Sequence, residues 1–116
     1  MSRRIPFRVS DNNYTLVIPV DNVPILFEVH WNSQEDNNVG GWYMSLYEQN
    51  QTPIATGIKI VLGVNLGRRS THPFFRSYLL RAFDTSGQNK DPGFDDLGNR
   101  VIVKLFTVQE ILDQLP

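Results

Sequence analysis

The chain has no cysteine. That absence excludes disulfides, a thiol nucleophile and thiolate metal sites, and with them the usual supports of small secreted domains. Long apolar runs are also missing. The longest is a handful of residues, against the roughly 18 that a membrane-crossing helix requires, and Met-Ser-Arg-Arg at the start leads into no signal-type apolar segment. The sequence therefore reads as a soluble, unexported protein with no membrane association. A charge excess is lacking too: eleven Lys+Arg stand against twelve Asp+Glu, a formal net charge of −1. No global field draws the chain to nucleic acid, so nucleic acid is a disfavoured partner. There are only two histidines, His30 and His72, and neither sits in a Gly-x-Ser-x-Gly or His-Glu-x-x-His setting. With no recognisable catalytic constellation the chain reads as no enzyme, and no cofactor is implied.

What is present is a run of short apolar stretches punctuated by turn formers. At 116 residues with 41% hydrophobic content, the chain suits one domain with one core. Residues 1–116 are thus read as a single β domain, with 1–10 as an extended arm. Ile5–Val9 reads as an edge strand because Pro6 removes a ladder donor, and its turn-rich link to Tyr14–Ile18 predicts a hairpin. Val23–Trp31 puts Ile25, Phe27, Val29 and Trp31 on one face, and Trp42–Tyr47 does the same with Trp42, Met44 and Leu46. The polar, glycine-ended segment 32–41 joins these two strands. Ile54–Leu62 is a further strand, with Gly57 marking a bulge or a close approach. Gly63–Pro73 reads as a long irregular loop pinned by Phe74 and Phe75. Tyr78–Phe83 and Arg100–Phe106 complete the strands. Thr107-Val-Gln-Glu110 then matches a capping box, and Val108, Ile111, Leu112 and Leu115 recur at helical spacing over residues 107–115. The fold expected is all-β: a small barrel or sandwich of six to seven mostly antiparallel strands with a short C-terminal helix.

The residues that could carry chemistry concentrate between Asp84 and Val101. Asp84, Asp91, Asp95 and Asp96 gather there, with Ser86 and Asn89 as further oxygen donors. A hard cation is chemically conceivable, but the EF-hand spacing and its terminal Glu are absent. Aspartates in glycine-rich loops commonly hold their own backbone, so the reading is a structural acidic loop with no metal, in which Asp95 or Asp96 pairs with Arg100 or Arg81. Asp95-Asp96 is a carboxylate pair by sequence, but adjacent side chains diverge and make poor acid–base partners. Candidate contacts for a partner protein are Val64, Leu66, Arg68, Arg69, Phe74 and Phe75 in the long loop and Ile111, Leu112 and Leu115 on the helix. Packing of the same apolar residues on the chain's own core is the competing reading.

Three ordered stretches carry a family resemblance. They are Trp42-Tyr-Met-Ser-Leu-Tyr47, Thr52-Pro-Ile-Ala-Thr-Gly-Ile-Lys-Ile-Val-Leu-Gly63, and Asp84-Thr-Ser-Gly87 with Asp91-Pro-Gly-Phe-Asp-Asp-Leu-Gly-Asn-Arg-Val101; Trp31-Asn32 adds to them. Together, from about Phe27 to Phe106, the chain resembles the small phage tail proteins grouped with the cyanophage baseplate plug. The resemblance implies a non-enzymatic virion structural protein of a contractile tail. Such a protein is made in the host cytoplasm and placed on the tail axis as a plug or hub-associated part. It implies hub, spike or tube components as partners and a homo-oligomer in the assembled tail. The alternative from another class is a small β-barrel binding module for single-stranded nucleic acid or a small ligand.

Overall fold

The computed structural model describes residues 3–8, 11–33 and 40–113. Val9, Leu115 and most of the polar segment 32–41 lie outside them. Seven strands and two short helices follow in chain order: β1 (Arg3–Arg4), β2 (Asn13–Val20), β3 (Val23–Asn32), β4 (Gly41–Glu48), β5 (Pro53–Lys59), α1 (Phe74–Ser77), β6 (Tyr78–Asp84), β7 (Val101–Thr107) and α2 (Val108–Asp113). The strands form two antiparallel sheets, ordered β1-β7-β6 and β2-β3-β4-β5, that do not close into a barrel.

Alternation along each strand decides which face is buried. On β3 and β4, Ile25, Phe27, Val29, Trp42, Met44 and Leu46 are buried; Leu80 and Ala82 of β6 and Val101, Val103 and Leu105 of β7 join them in one apolar cluster. Burial of apolar surface is the main favourable term in folding, and here both sheets contribute to the same cluster. Trp42 and Phe27 are the largest side chains wholly inside.

Of the two readings of Gly57, a bulge or a close approach, the bulge is the one present. Between the pairs Met44↔Ile58 and Leu46↔Ala55, β5 uses one residue more than β4. Gly57 takes φ +64° there and its N–H donates to Ser45 Oγ at 3.0 Å, which satisfies a buried polar side chain. The strand ends at Lys59, short of the expected Leu62, because Leu62 leaves the four-stranded sheet to form a parallel bridge with Ala82 of the other.

The expected N-terminal hairpin does not form. Ile5 donates its N–H to Val103 O at 2.8 Å and buries its side chain, so the first residues join β7 while β2 pairs with β3. Two hydrophobic side chains, Ile5 and Phe7, outweigh the local turn signal between Phe7 and Tyr14. The C-terminal helix begins as its capping box prescribes: the Thr107 N–H donates to Glu110 Oε1 at 3.1 Å and the Glu110 N–H to Thr107 Oγ1 at 3.0 Å.

Candidate functional site

The connection from β6 to β7 is built around one guanidinium. Arg100 donates from Nη1 to Asp84 Oδ2 at 2.8 Å and to Lys90 O at 2.9 Å, and from Nη2 to Asp96 Oδ2 at 3.0 Å and to Asp91 O at 3.1 Å. Its side chain is 11% exposed and that of Asp84 only 3%. Asp84 accepts in addition from the Ser86 N–H and hydroxyl on Oδ1 and from the Asn89 N–H on Oδ2. Burial by itself pushes the Asp84 carboxyl up. The donors from Ser86 and Asn89 and the charge of Arg100 outweigh it and hold the group well below the usual carboxylate range. The hydrogen bond from Arg100 likewise holds Asp96 below its ordinary value, against the effect of burial.

Asp95 of the Asp91–Gly98 string is exposed, and the other seven residues each have a structural place. Asp91 accepts the Leu62 N–H on Oδ1 at 3.0 Å and ties the loop to the crossing segment. Pro92 is buried. Gly93 O accepts the indole N–H of Trp42 at 2.9 Å, and the Gly93 N–H donates to Asp96 Oδ2 at 2.8 Å. Phe94 stacks on Trp42 with centroids 5.8 Å apart and meets Trp31 edge-on at 5.6 Å. Leu97 lies in the core. Gly98 takes φ +84°, and a Cβ there would come within 2.7 Å of Phe7 O, so only glycine fits. The loop thus joins β4 of one sheet to β6 and β7 of the other.

Of the pairings left open by the sequence, Asp95 or Asp96 with Arg100 or Arg81, that of Asp96 with Arg100 is present. Arg81 takes a different course and donates to Gly63 O at 3.3 Å. Sequence reasoning missed the aromatic group of Trp31, Trp42 and Phe94. Its signal was present: Trp31 and Trp42 flank one connection and are paired directly across β3 and β4. Among the described residues no three His, Cys, Asp or Glu side chains are grouped so as to hold a metal ion. His30 stacks on Tyr43, and His72 accepts the Phe74 N–H on Nδ1 at 3.0 Å with Nε2 at 3.5 Å from Glu48. Each histidine is therefore engaged in local structure.

The candidate contact residues separate by exposure. Leu66 is 3% exposed and its N–H bonds to Leu80 O, so it serves the core and is closed to a partner. Val64, Phe74 and Phe75 are half-buried against the same core, Phe74 on the Tyr78 ring at 4.8 Å and Phe75 over Gly67. Phe74 and Phe75 open a helical turn that the sequence does not announce. Arg68 and Arg69 are exposed, Ile111 is half-buried, and Leu112 is 53% exposed on α2. No helix among the described residues is long and apolar enough to cross a membrane.

The family model described as cyanophage baseplate Pam3 plug gp18 matches residues 2–110. The match reaches beyond the stretch from Phe27 to Phe106 that carries the resemblance in sequence, and takes in the N-terminal residues and the first turn of α2. No curated protein matches the chain.

Proposed function

The chain belongs to the family of the cyanophage Pam3 baseplate plug gp18, and from that premise we propose that it is a plug of a contractile phage tail. In this reading it sits on the tail axis beside the hub and closes the distal end of the tube before infection. Membership gives it a structural role in the phage baseplate; contractile action, hub association and self-association belong to the proposal. The observation that carries it is the family match over residues 2–110, with the most distinctive string of the chain folded as an internal clasp.

The geometry supports a part that works through contacts and not through catalysis. The acidic residues Asp84 and Asp96 face Arg100, Asp91 holds the Leu62 amide, His72 accepts a local hydrogen bond and His30 stacks on Tyr43. Contacts with hub, spike or tube proteins are then left to the outer surfaces, among them Arg68, Arg69 and Leu112. Proteomic analysis of purified particles together with immunogold labelling tests the proposal. We expect the chain in intact tails, with label at the distal end. Its absence from particles, or label elsewhere on the virion, refutes the reading.

A further inference from the structure

We propose that the outward face of the three-stranded sheet is the docking face for an acidic segment of another baseplate protein; this rests on the baseplate reading above. The register of the strands sets three cations in a row. Arg4 lies directly opposite Lys104, and Lys104 directly opposite Arg81. Their neighbours Leu80, Ala82, Val103 and Leu105 point into the core, so the row points out. Like charges directly opposite one another across a sheet destabilise it. A fold served only by its own stability has no use for three of them side by side.

No carboxylate among the described residues answers this charge, and the Arg4 and Arg81 guanidiniums donate only to backbone carbonyls, Gly98 O at 2.9 Å and Gly63 O at 3.3 Å. Among the described residues no carboxylate forms an ion pair with Arg4, Arg81 or Lys104. The Arg81 guanidinium and the Lys104 ammonium both lie over the one ring of Phe83, at 5.9 and 5.7 Å from its centroid, and Phe83 is itself an exposed large hydrophobic residue. Beside the row runs a groove of about 440 Å³ whose apolar wall is Leu79, Phe106 and Ile111.

The occupant is identified by this mixture. Strands spaced by about 4.8 Å spread the three cations over roughly 10 Å, a span that two carboxylates on one side of an extended peptide, about 7 Å apart, can bridge. The groove takes the apolar side chains between them. A nucleic-acid backbone needs a sustained basic track, whereas this row is three residues long on a chain of net charge −1. A second copy fits poorly as well. The corresponding row of its four-stranded sheet, Thr15, Glu28 and the buried Ser45, presents a single carboxylate.

Zero-length carbodiimide coupling in purified tails tests the proposal, because it joins a lysine amine only to a carboxylate in contact with it. Mass spectrometry should recover Lys104 joined to Asp or Glu of a different virion protein. The Lys104→Glu variant should lose the chain from tails, while Arg76→Glu, at an exposed arginine of α1, retains it. Lys104→Glu also sets a carboxylate between two arginines, so its melting temperature as a purified protein should rise and loss from tails cannot reflect misfolding. The proposal is overturned if Lys104 stays uncoupled in tails that contain the chain, or couples only to a second copy. It is equally overturned if wild-type protein, but not Lys104→Glu, retards a single-stranded oligodeoxythymidine on a gel. Absence of the chain from tails refutes the baseplate reading itself and this proposal with it.

Discussion

Arg100 meets two carboxylates and two backbone carbonyls with a single planar group, and this makes the clasp sensitive to proton concentration. Asp84 carries a lowered pKa in the folded chain, so the native state binds fewer protons than the unfolded one, whose carboxyl titrates near 3.8. The stabilisation is present in full above that unfolded value and is lost as pH falls through it toward the folded value. Unfolding midpoints measured in urea should therefore drop below about pH 4 in the wild type. Asp84→Asn should start from a lower midpoint at neutral pH and lose less on acidification. Tyr14 gives the mirror case: burial pushes its phenol up to about 12, partly offset by its hydrogen bond with the Arg8 backbone. That contribution is complete below about pH 10 and disappears as pH rises toward 12. That an aspartate of the Asp95-Asp96 pair meets an arginine was legible in sequence, but the sequence leaves open which aspartate and which arginine. The pairing with Asp84 was not legible, since sixteen residues separate it from Arg100 and only the β6–β7 register brings them together.

Elements with a strong local pattern stand where their sequence puts them. The period of two in β3 and β4, the glycine of the β5 bulge and the capping box of α2 are all decided by neighbours within a few residues, and all three are present in the fold. The capping box permits a direct check: Thr107→Ala removes the hydroxyl that accepts the Glu110 N–H and should cost about 1 kcal/mol in chemical denaturation. Elements whose position depends on remote partners were misread. Ile5 and Phe7 have the composition of a strand that could pair with either neighbour, and burial against β7 decides. The short helix at Phe74–Ser77 has no periodicity to betray it; Pro73 and the His72 ring start it, and packing of Phe74 on Tyr78 keeps it. The cation row belongs to the same scale. Its three members are separated by many residues in sequence and become neighbours only through pairing, so no charge run announced them.

At the scale of the molecule, the β6–β7 loop acts as a tie between sheets. It holds Trp42 of the four-stranded sheet through Gly93 and Phe94, holds the crossing segment through Asp91, and sends Leu97 into the shared core. Leu97→Ala should accordingly cost about 2–5 kcal/mol, the range for a fully buried leucine. The loss should appear as one transition at lower denaturant, with circular dichroism and tryptophan emission shifting together. An emission change that precedes the loss of sheet signal would mean that the loop opens as a separate unit.

Both tryptophans of the chain, Trp31 and Trp42, lie against Phe94 where the loop is seated. The protein therefore carries its own optical gauge of that seat. Light emitted by these two indoles reports whether the clasp is closed, without any attached dye, in the purified protein.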